Sequence, residues 1–267
     1  MTKSRTLARL LFAAGAAIMA MALFVPAAGA TTPAPGYEEF FGCPDKAEIT
    51  TCVSTEITGG NFKMGNKNVP IENKITISGG VNSGGENFQG VLTPVKQKVP
   101  GGVIGLTGLT WLFEFLGSEA LTLYAVTEAA AQPQLFHDPI VLPIRVHLIN
   151  GALGNNCYVG SFTEPIVLNL ITGTTKPPKP NEPITGKSPE VSFDEKLEIV
   201  HTKNGELVDN SFAAPGANGC VLTLFGFIPI SINGLVNSAS ALPAKAGTNE
   251  TRQKYNLSLV ESALVYP

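Results

Sequence analysis

The chain has 267 residues, which is enough for one large or two small domains with a well-formed core. It is 44% hydrophobic and only 15% charged, and its 28 glycines and 20 prolines stay below the proportion typical of disordered chains. The formal net charge is −3 and no run of Lys or Arg occurs, which argues against a nucleic-acid-binding protein.

The N-terminal segment has the pattern of a secretory signal peptide. A basic stretch ends at Arg9, an apolar run extends from Leu10 to Val25, and Ala28-Gly29-Ala30 has the small residues that precede a cleavage site. The apolar run is shorter than the roughly 20 residues that a membrane span needs, so we expect cleavage rather than an uncleaved anchor. The predicted signal peptide is therefore 1–30, and the mature chain would be both exported and acidic.

The next segment, 31–36, is rich in Pro, Thr and Ala, and we expect a flexible lead-in to a single domain over 37–267. After Cys52, apolar residues alternate with polar ones as far as Ile77, which is the period of a β-strand. Glycine-containing pairs divide this region, and we interpret them as turns of an antiparallel sheet. The pairs are Gly59-Gly60, Gly65-Asn66, Gly79-Gly80 and Gly84-Gly85.

The segment 99–117 is the most apolar part of the predicted mature chain. Its apolar residues at 109, 112, 113 and 116 have helical spacing, so we expect a short helix. One interpretation is a helix or loop that covers an open end of the sheet. The other is a membrane-touching element or a wall of an apolar cavity, in which case Trp111, Phe113 and Phe115 would line the ligand.

The middle of the chain predicts further strands. In 143–149 the residues Ile144, Val146 and Leu148 share one face while Arg145 and His147 share the other, which indicates a half-buried strand. Shorter strands are expected over 120–125, 157–159 and 166–170. The proline-rich segment 174–189 cannot be a central strand, and we expect a surface loop.

The C-terminal part predicts strands over 191–193 and 197–201, followed by a turn at Asn204-Gly205. We expect a small helix within 228–242, which Pro243 would end, and a last strand over 253–265. The predicted fold is thus mostly β: an antiparallel β-sandwich or a barrel-like structure with one or two short helices.

The four cysteines all lie beyond the predicted signal peptide. An even number of cysteines in an oxidising compartment indicates two disulfides, which four cysteines can form in three ways. We favour Cys43 with Cys52, which closes a turn-sized loop, and Cys157 with Cys220, both of which are flanked by Gly and Asn. A zinc site is the alternative, but no C-x2-C or H-x3-H spacing occurs.

Four segments together carry a resemblance to known proteins. They are 154–161, 172–178, 207–220 and 234–247, of which the third contains Leu-Val-Asp-Asn-Ser-Phe and ends on Gly-Cys. They resemble a recurring group of exported proteins of actinobacterial type that have no assigned activity, over roughly 43–265. The resemblance implies a β-rich exported domain with Cys157 and Cys220 inside the shared pattern. Val221 departs from it, because the group usually has a glycine there.

The sequence offers little that indicates catalysis. His201, Asp209 and Ser211 are residue types that form hydrolase triads, but we expect turn residues at 209–211 and an exposed strand position for the histidine. No G-x-S-x-G segment or phosphate-binding glycine loop occurs. We therefore predict no catalytic residue, no metal and no cofactor.

These patterns lead to one main functional expectation. We expect an exported, non-enzymatic structural or interaction protein, secreted or held at the cell surface, whose partner would be a component of the cell envelope. The first alternative is a protein that binds an apolar small molecule or lipid beside the 99–117 segment. The second alternative is an unrecognised hydrolase.

Overall fold

A computed structural model describes residues 32–85, 88–108, 121–224 and 227–267. Within these residues it contains fifteen β-strands and three short α-helices. The strands are β1 (Thr51–Met64), β2 (Lys67–Pro70), β3 (Ile75–Val81), β4 (Phe88–Leu92), β5 (Lys96–Lys98), β6 (Tyr124–Ala129), β7 (Ile140–Ile149), β8 (Tyr158–Val159), β9 (Ile166–Leu170), β10 (Glu190–Asp194), β11 (Ile199–Asp209), β12 (Ala217–Asn218), β13 (Val221–Leu224), β14 (Ile228–Ser231) and β15 (Glu250–Glu261). The helices are α1 (Gly102–Thr107), α2 (Asn233–Ser240) and α3 (Ser262–Val265).

The strands form two antiparallel sheets that share one hydrophobic core. The seven-stranded sheet has the order β10-β11-β15-β1-β3-β4, with β2 also paired to β1. The six-stranded sheet has the order β12-β8-β7-β6-β5, with β9 also paired to β7, and β13 and β14 form a separate hairpin. Side chains from both sheets, such as Ile144 and Tyr255, meet in the same core cluster. The predicted antiparallel β-sandwich is confirmed.

The strand β7 shows why these sequences form a sandwich. Ile144, Val146 and Leu148 are at most 5% exposed, while Arg145 and His147 alternate with them on the opposite face. Because side chains of a strand point alternately to its two faces, this pattern buries one face of the six-stranded sheet against its partner. The prediction for this strand is confirmed.

Two of the predicted glycine turns are wrong. Gly59-Gly60 lies inside β1 at a bulge, and Gly79-Gly80 lies inside β3. Gly60 has φ +119°, and a Cβ there would be 1.9 Å from the carbonyl oxygen of Arg252 on β15. Glycine is needed at Gly60 and Gly79 because the backbone of a neighbouring strand passes very close. In the sequence alone, such a glycine cannot be distinguished from one in a turn.

Three C-terminal predictions need correction. Asn204-Gly205 is a bulge within the continuous strand β11 rather than a turn, and Asn204 has φ +59°. The segment 228–242 begins with β14 and becomes helical only in α2, because its first residues pair with β13. The last strand, predicted over 253–265, ends at Glu261, and α3 follows it.

The outer face of the seven-stranded sheet is covered by an N-terminal layer, residues 37–49, together with α3. Phe40 and Val265 are fully buried in this second cluster, beside Ile49 and Val260. Ahead of the layer, the amide of Ala34 donates to the carbonyl of Val265 at 2.9 Å. The disulfide Cys43–Cys52 ties the layer to β1.

The second disulfide, Cys157–Cys220, joins the six-stranded sheet to the start of the β13–β14 hairpin. Both pairings are those predicted from the sequence. Two disulfides are typical of proteins in an oxidising environment.

The proline-rich segment 174–189 forms no regular strand and lies along β11. Its Lys187 exchanges both backbone hydrogen bonds with Glu206, each at 2.9 Å. Just before this segment, Ile171 pairs with Val208, so the chain passes directly from the edge of one sheet to the edge of the other. The predicted surface loop therefore also protects part of a strand edge.

The helix predicted from the apolar residues at 109–116 lies outside the described residues, as do Trp111, Phe113 and Phe115. The described chain has a different short helix just before this segment, α1, whose Val103 and Leu106 are buried. None of the helices in the described part of the chain is long and apolar enough to cross a membrane.

Candidate functional site

An apolar cavity of about 70 Å³ lies between the two sheets. A second space of about 40 Å³ adjoins it and shares the lining residues Ile57, Leu142 and Gln253. Their combined volume is smaller than the ~150 Å³ of an engineered apolar cavity that holds benzene. Side chains from β1, β2, β7 and α1 line the larger cavity, among them Ile57, Phe62, Val69, Leu106 and Val146.

The strand pattern explains both the apolar character of this cavity and its position. In β7 and in the β1–β2 hairpin, apolar residues largely alternate with polar ones along the sequence. Because side chains of a strand point alternately to its two faces, the face towards the cavity is mainly apolar. Short side chains at Ala125 and Val146 face the cavity from the six-stranded sheet. Close packing is the rule in protein interiors, so a cavity of this size is a distinct feature of the core.

Two hydroxyl groups at these cavities have no hydrogen-bond partner among the described residues. Ser240 Oγ, at the end of α2, belongs to the larger cavity, and Thr55 Oγ1, on β1, belongs to the smaller one. Ser240 is 2% exposed and Thr55 is 8% exposed. An unpaired buried hydroxyl costs about 1–3 kcal/mol, so both groups would gain from a ligand that forms a hydrogen bond with them.

The side chain of Gln97 also lines the larger cavity, where it is bonded to the backbone. Its Oε1 accepts from the amides of Glu72 and Asn73, both at 2.9 Å, and its Nε2 donates to the carbonyl of Asn73 at 2.6 Å. Gln97 therefore holds the β2–β3 connection in place beside the cavity.

Lys67 is the one charged residue in the described lining of the larger cavity. Its half-buried side chain extends from β2, and Nζ donates to the carbonyl oxygen of Gly105 in α1 at 2.7 Å. Lysine near the C-terminal end of a helix commonly bonds to the last carbonyls. The same end of the cavity holds Ser240, because the amide of Asn66, the neighbour of Lys67, donates to the Ser240 carbonyl at 3.1 Å.

The residues considered for a hydrolase triad do not come together. His201 and Asp209 lie on the same strand, eight residues apart, which corresponds to about 26 Å. His201 Nδ1 is 3.0 Å from Ser258 Oγ, whereas the Asp209 carboxylate accepts from the amides of Asn169 and Ser211 at 2.7 and 2.8 Å. Burial raises the pKa of Asp209, while these two amides act in the opposite direction.

A second polar cluster lies on the outer face of the six-stranded sheet. Arg145 donates to Glu128 through Nε and Nη2, at 2.9 and 2.6 Å, and its guanidinium lies over the rings of Tyr158 and Phe162, 4.3 and 3.9 Å from the centroids. His147 stacks on Tyr158. Because Glu128 neutralises the arginine, we interpret this cluster as a stabilising arrangement of the sheet surface.

Metal-ligating side chains are not grouped in the described part of the chain. There is no cluster of three or more His, Cys, Asp or Glu residues in 32–85, 88–108, 121–224 and 227–267 that could hold a metal ion. All four cysteines are in disulfides, so none supplies a thiolate ligand.

Comparison with known proteins gives no functional guide, because no family model, curated protein or solved structure matches this chain. Sequence reasoning missed Lys67 and Ser240 as site residues. Each is unremarkable in its own segment, one in a short strand and the other in a short helix. Lys67 and Ser240 lie at the same end of the sandwich only because α1, α2 and the β1–β2 turn pack together there.

Proposed function

We propose that this is an exported, non-catalytic binding protein whose β-sandwich interior holds an apolar ligand. The observation that carries the proposal is the pair of adjoining apolar spaces between the sheets, lined by the hydroxyls of Ser240 and Thr55 respectively, which have no partner among the described residues. Most ligand sites combine apolar walls with a few polar groups that orient the ligand, and this cavity has that composition.

Export is the second part of the proposal. It is supported by the signal-peptide pattern of 1–30, by the two disulfides, and by the resemblance to exported proteins of actinobacterial type. The expected place of action is outside the cell or at its surface. A protein that binds apolar molecules there would act as a carrier or store for molecules with low solubility in water.

The experiment titrates the purified protein with 1-octanol. Calorimetry measures the binding, and thermal unfolding measures the change in stability. A ligand that binds only the folded state raises its stability, by about 2.7 kcal/mol at a hundredfold excess over Kd. We expect saturable binding and a higher unfolding temperature. The absence of both would contradict the proposal.

Filling the cavity provides the matched variant. Val146→Phe adds a large side chain to the lining, so binding of 1-octanol should be lost, whereas the same change at the 71%-exposed Val191 should leave it intact. Ala125→Val is a smaller filling change, for use if Val146→Phe does not fold. Equal binding by the filled and control variants would place the ligand elsewhere.

A further inference from the structure

The interior cavity is apolar, but one end of it is cationic. Lys67 extends from β2 to this end, and the described lining residues include no acid. None of the ion pairs formed within the described residues includes Lys67. A half-buried ammonium group without a carboxylate partner is costly, so it favours a negatively charged ligand group nearby.

Ser240 supplies the second polar group at the same end. It is almost completely buried, its Oγ has no partner among the described residues, and its own carbonyl is bonded to the amide of Asn66, next to Lys67. A hydroxyl can donate to an anionic oxygen while an ammonium group donates to the same anion. Both residues therefore contribute a donor group to the lining of the same apolar cavity.

We infer that the ligand is an amphiphile with a carboxylate head and an unbranched alkyl chain, bound with its head at Lys67 and Ser240 and its chain between the sheets. This inference rests on the proposed function, because it specifies the ligand of the same cavity. The volumes of about 70 and 40 Å³ are together smaller than the ~150 Å³ that holds benzene, so the sandwich would enclose only part of the alkyl chain.

The hydrogen bond that Lys67 already forms indicates how its ammonium group would bind the head group. Nζ donates to the carbonyl of Gly105, which uses one of its three hydrogens and leaves two for a carboxylate. Charge-assisted hydrogen bonds are roughly twice as strong as neutral ones, so the carboxylate should contribute much of the affinity. The rest of the affinity comes from burial of the chain.

The test compares octanoate with 1-octanol, which has a chain of similar length but no charge, on the purified protein and its variants. We expect octanoate to bind about tenfold or more tightly than 1-octanol. In Lys67→Met this preference should disappear, with octanol binding changed less than twofold. Lys67→Arg should retain it, because it keeps the positive charge.

The control is Lys63→Met, which removes an exposed lysine from the adjacent strand, outside the cavity lining. It should bind both probes as the unaltered protein does. Ser240→Ala should weaken octanoate binding more than octanol binding. Circular dichroism of each variant shows whether its fold is intact.

The outcomes separate this inference from the proposed function. Equal affinity for the two probes in the unaltered protein, or an equal loss of both in Lys67→Met, would overturn the carboxylate assignment and leave the apolar cavity as a binding site. If neither probe binds to the unaltered protein, the proposed function fails and the inference fails with it.

Discussion

The two faces of the seven-stranded sheet are packed in opposite ways. On the outer face, the N-terminal layer lies so close that a Cβ at Gly80 would be 2.4 Å from Ile49 Cγ2, and one at Gly42 would be 2.8 Å from the Ser78 side chain. On the inner face, the same sheet borders a cavity of about 70 Å³, and Thr55 Oγ1 on β1 has no hydrogen-bond partner among the described residues. Close packing is therefore concentrated on one side of the sheet and unfilled volume on the other.

Removing a disulfide should have the largest effect on the free energy of unfolding, and each of the two disulfides supports a different part of the molecule. Cys157–Cys220 closes a loop with a sequence separation of 63 and supports the hairpin that leads into α2, whereas Cys43–Cys52 spans 9 residues and supports the N-terminal layer. In the chain-entropy model, replacing the first pair by alanine should cost about 4 kcal/mol and the second about 3 kcal/mol. Denaturant unfolding measures both, and a larger loss for the short loop would contradict the expected order.

Adding a methyl group to the outer face should have the next largest effect. Gly80→Ala places its Cβ against Ile49, and close to Cys43 Sγ at 3.0 Å, so we expect a loss of about 1–3 kcal/mol of unfolding free energy. Gly173→Ala is the control, because a Cβ there meets nothing within 4 Å. If the two variants unfold at the same denaturant concentration, the N-terminal layer is looser than its contacts indicate.

Removing the Ser240 hydroxyl from the cavity lining should have the opposite sign. Ser240→Ala deletes a buried hydroxyl without a partner in the described structure, so the free energy of unfolding should rise by about 1 kcal/mol. Ser238→Ala, in the same helix but exposed, controls for the higher helix propensity of alanine. A loss of stability specific to Ser240→Ala would mean that its hydroxyl is already bonded.

The smallest effect is on the pKa values of two carboxylates of the same sheet. NMR titration measures both. Burial raises the pKa of Asp209, so its contribution to stability is present below about pH 3.9 and is lost as the pH rises through its folded pKa. Backbone amides of Leu197 and Lys196 lower the pKa of Asp194, so its contribution is lost as the pH falls. Asp209 should therefore titrate above Asp194, and the reverse order would contradict this account.

The sequence predicts the repetitive features of this fold well. The alternation in β7 identifies its buried face, and the flanking residues of Cys157 and Cys220 indicate their pairing. The first follows from the two-residue period of a strand, whereas the second was a choice among three possible pairings. An antiparallel sandwich or barrel-like fold could therefore be predicted from the sequence.

Features that depend on distant backbone could not be predicted in the same way. The sequence around Gly60 predicts a turn, although glycine is required there by the carbonyl of Arg252, almost 200 positions away. The cavity is defined by volume that side chains of different strands leave unfilled, which no segment encodes alone. Lys67 and Ser240 likewise meet only through the packing of two helices against a hairpin turn.

The pairing of β1 with β15 has a consequence for the order in which the molecule can assemble. The register places Thr51 opposite Glu261 and Lys63 opposite Glu250, so a central strand of the larger sheet lacks a neighbour until nearly the whole polypeptide has been made. At about 5–20 residues per second, the ribosome needs roughly 10–40 s to make the intervening 200 residues. During this interval a nascent chain cannot complete the larger sheet.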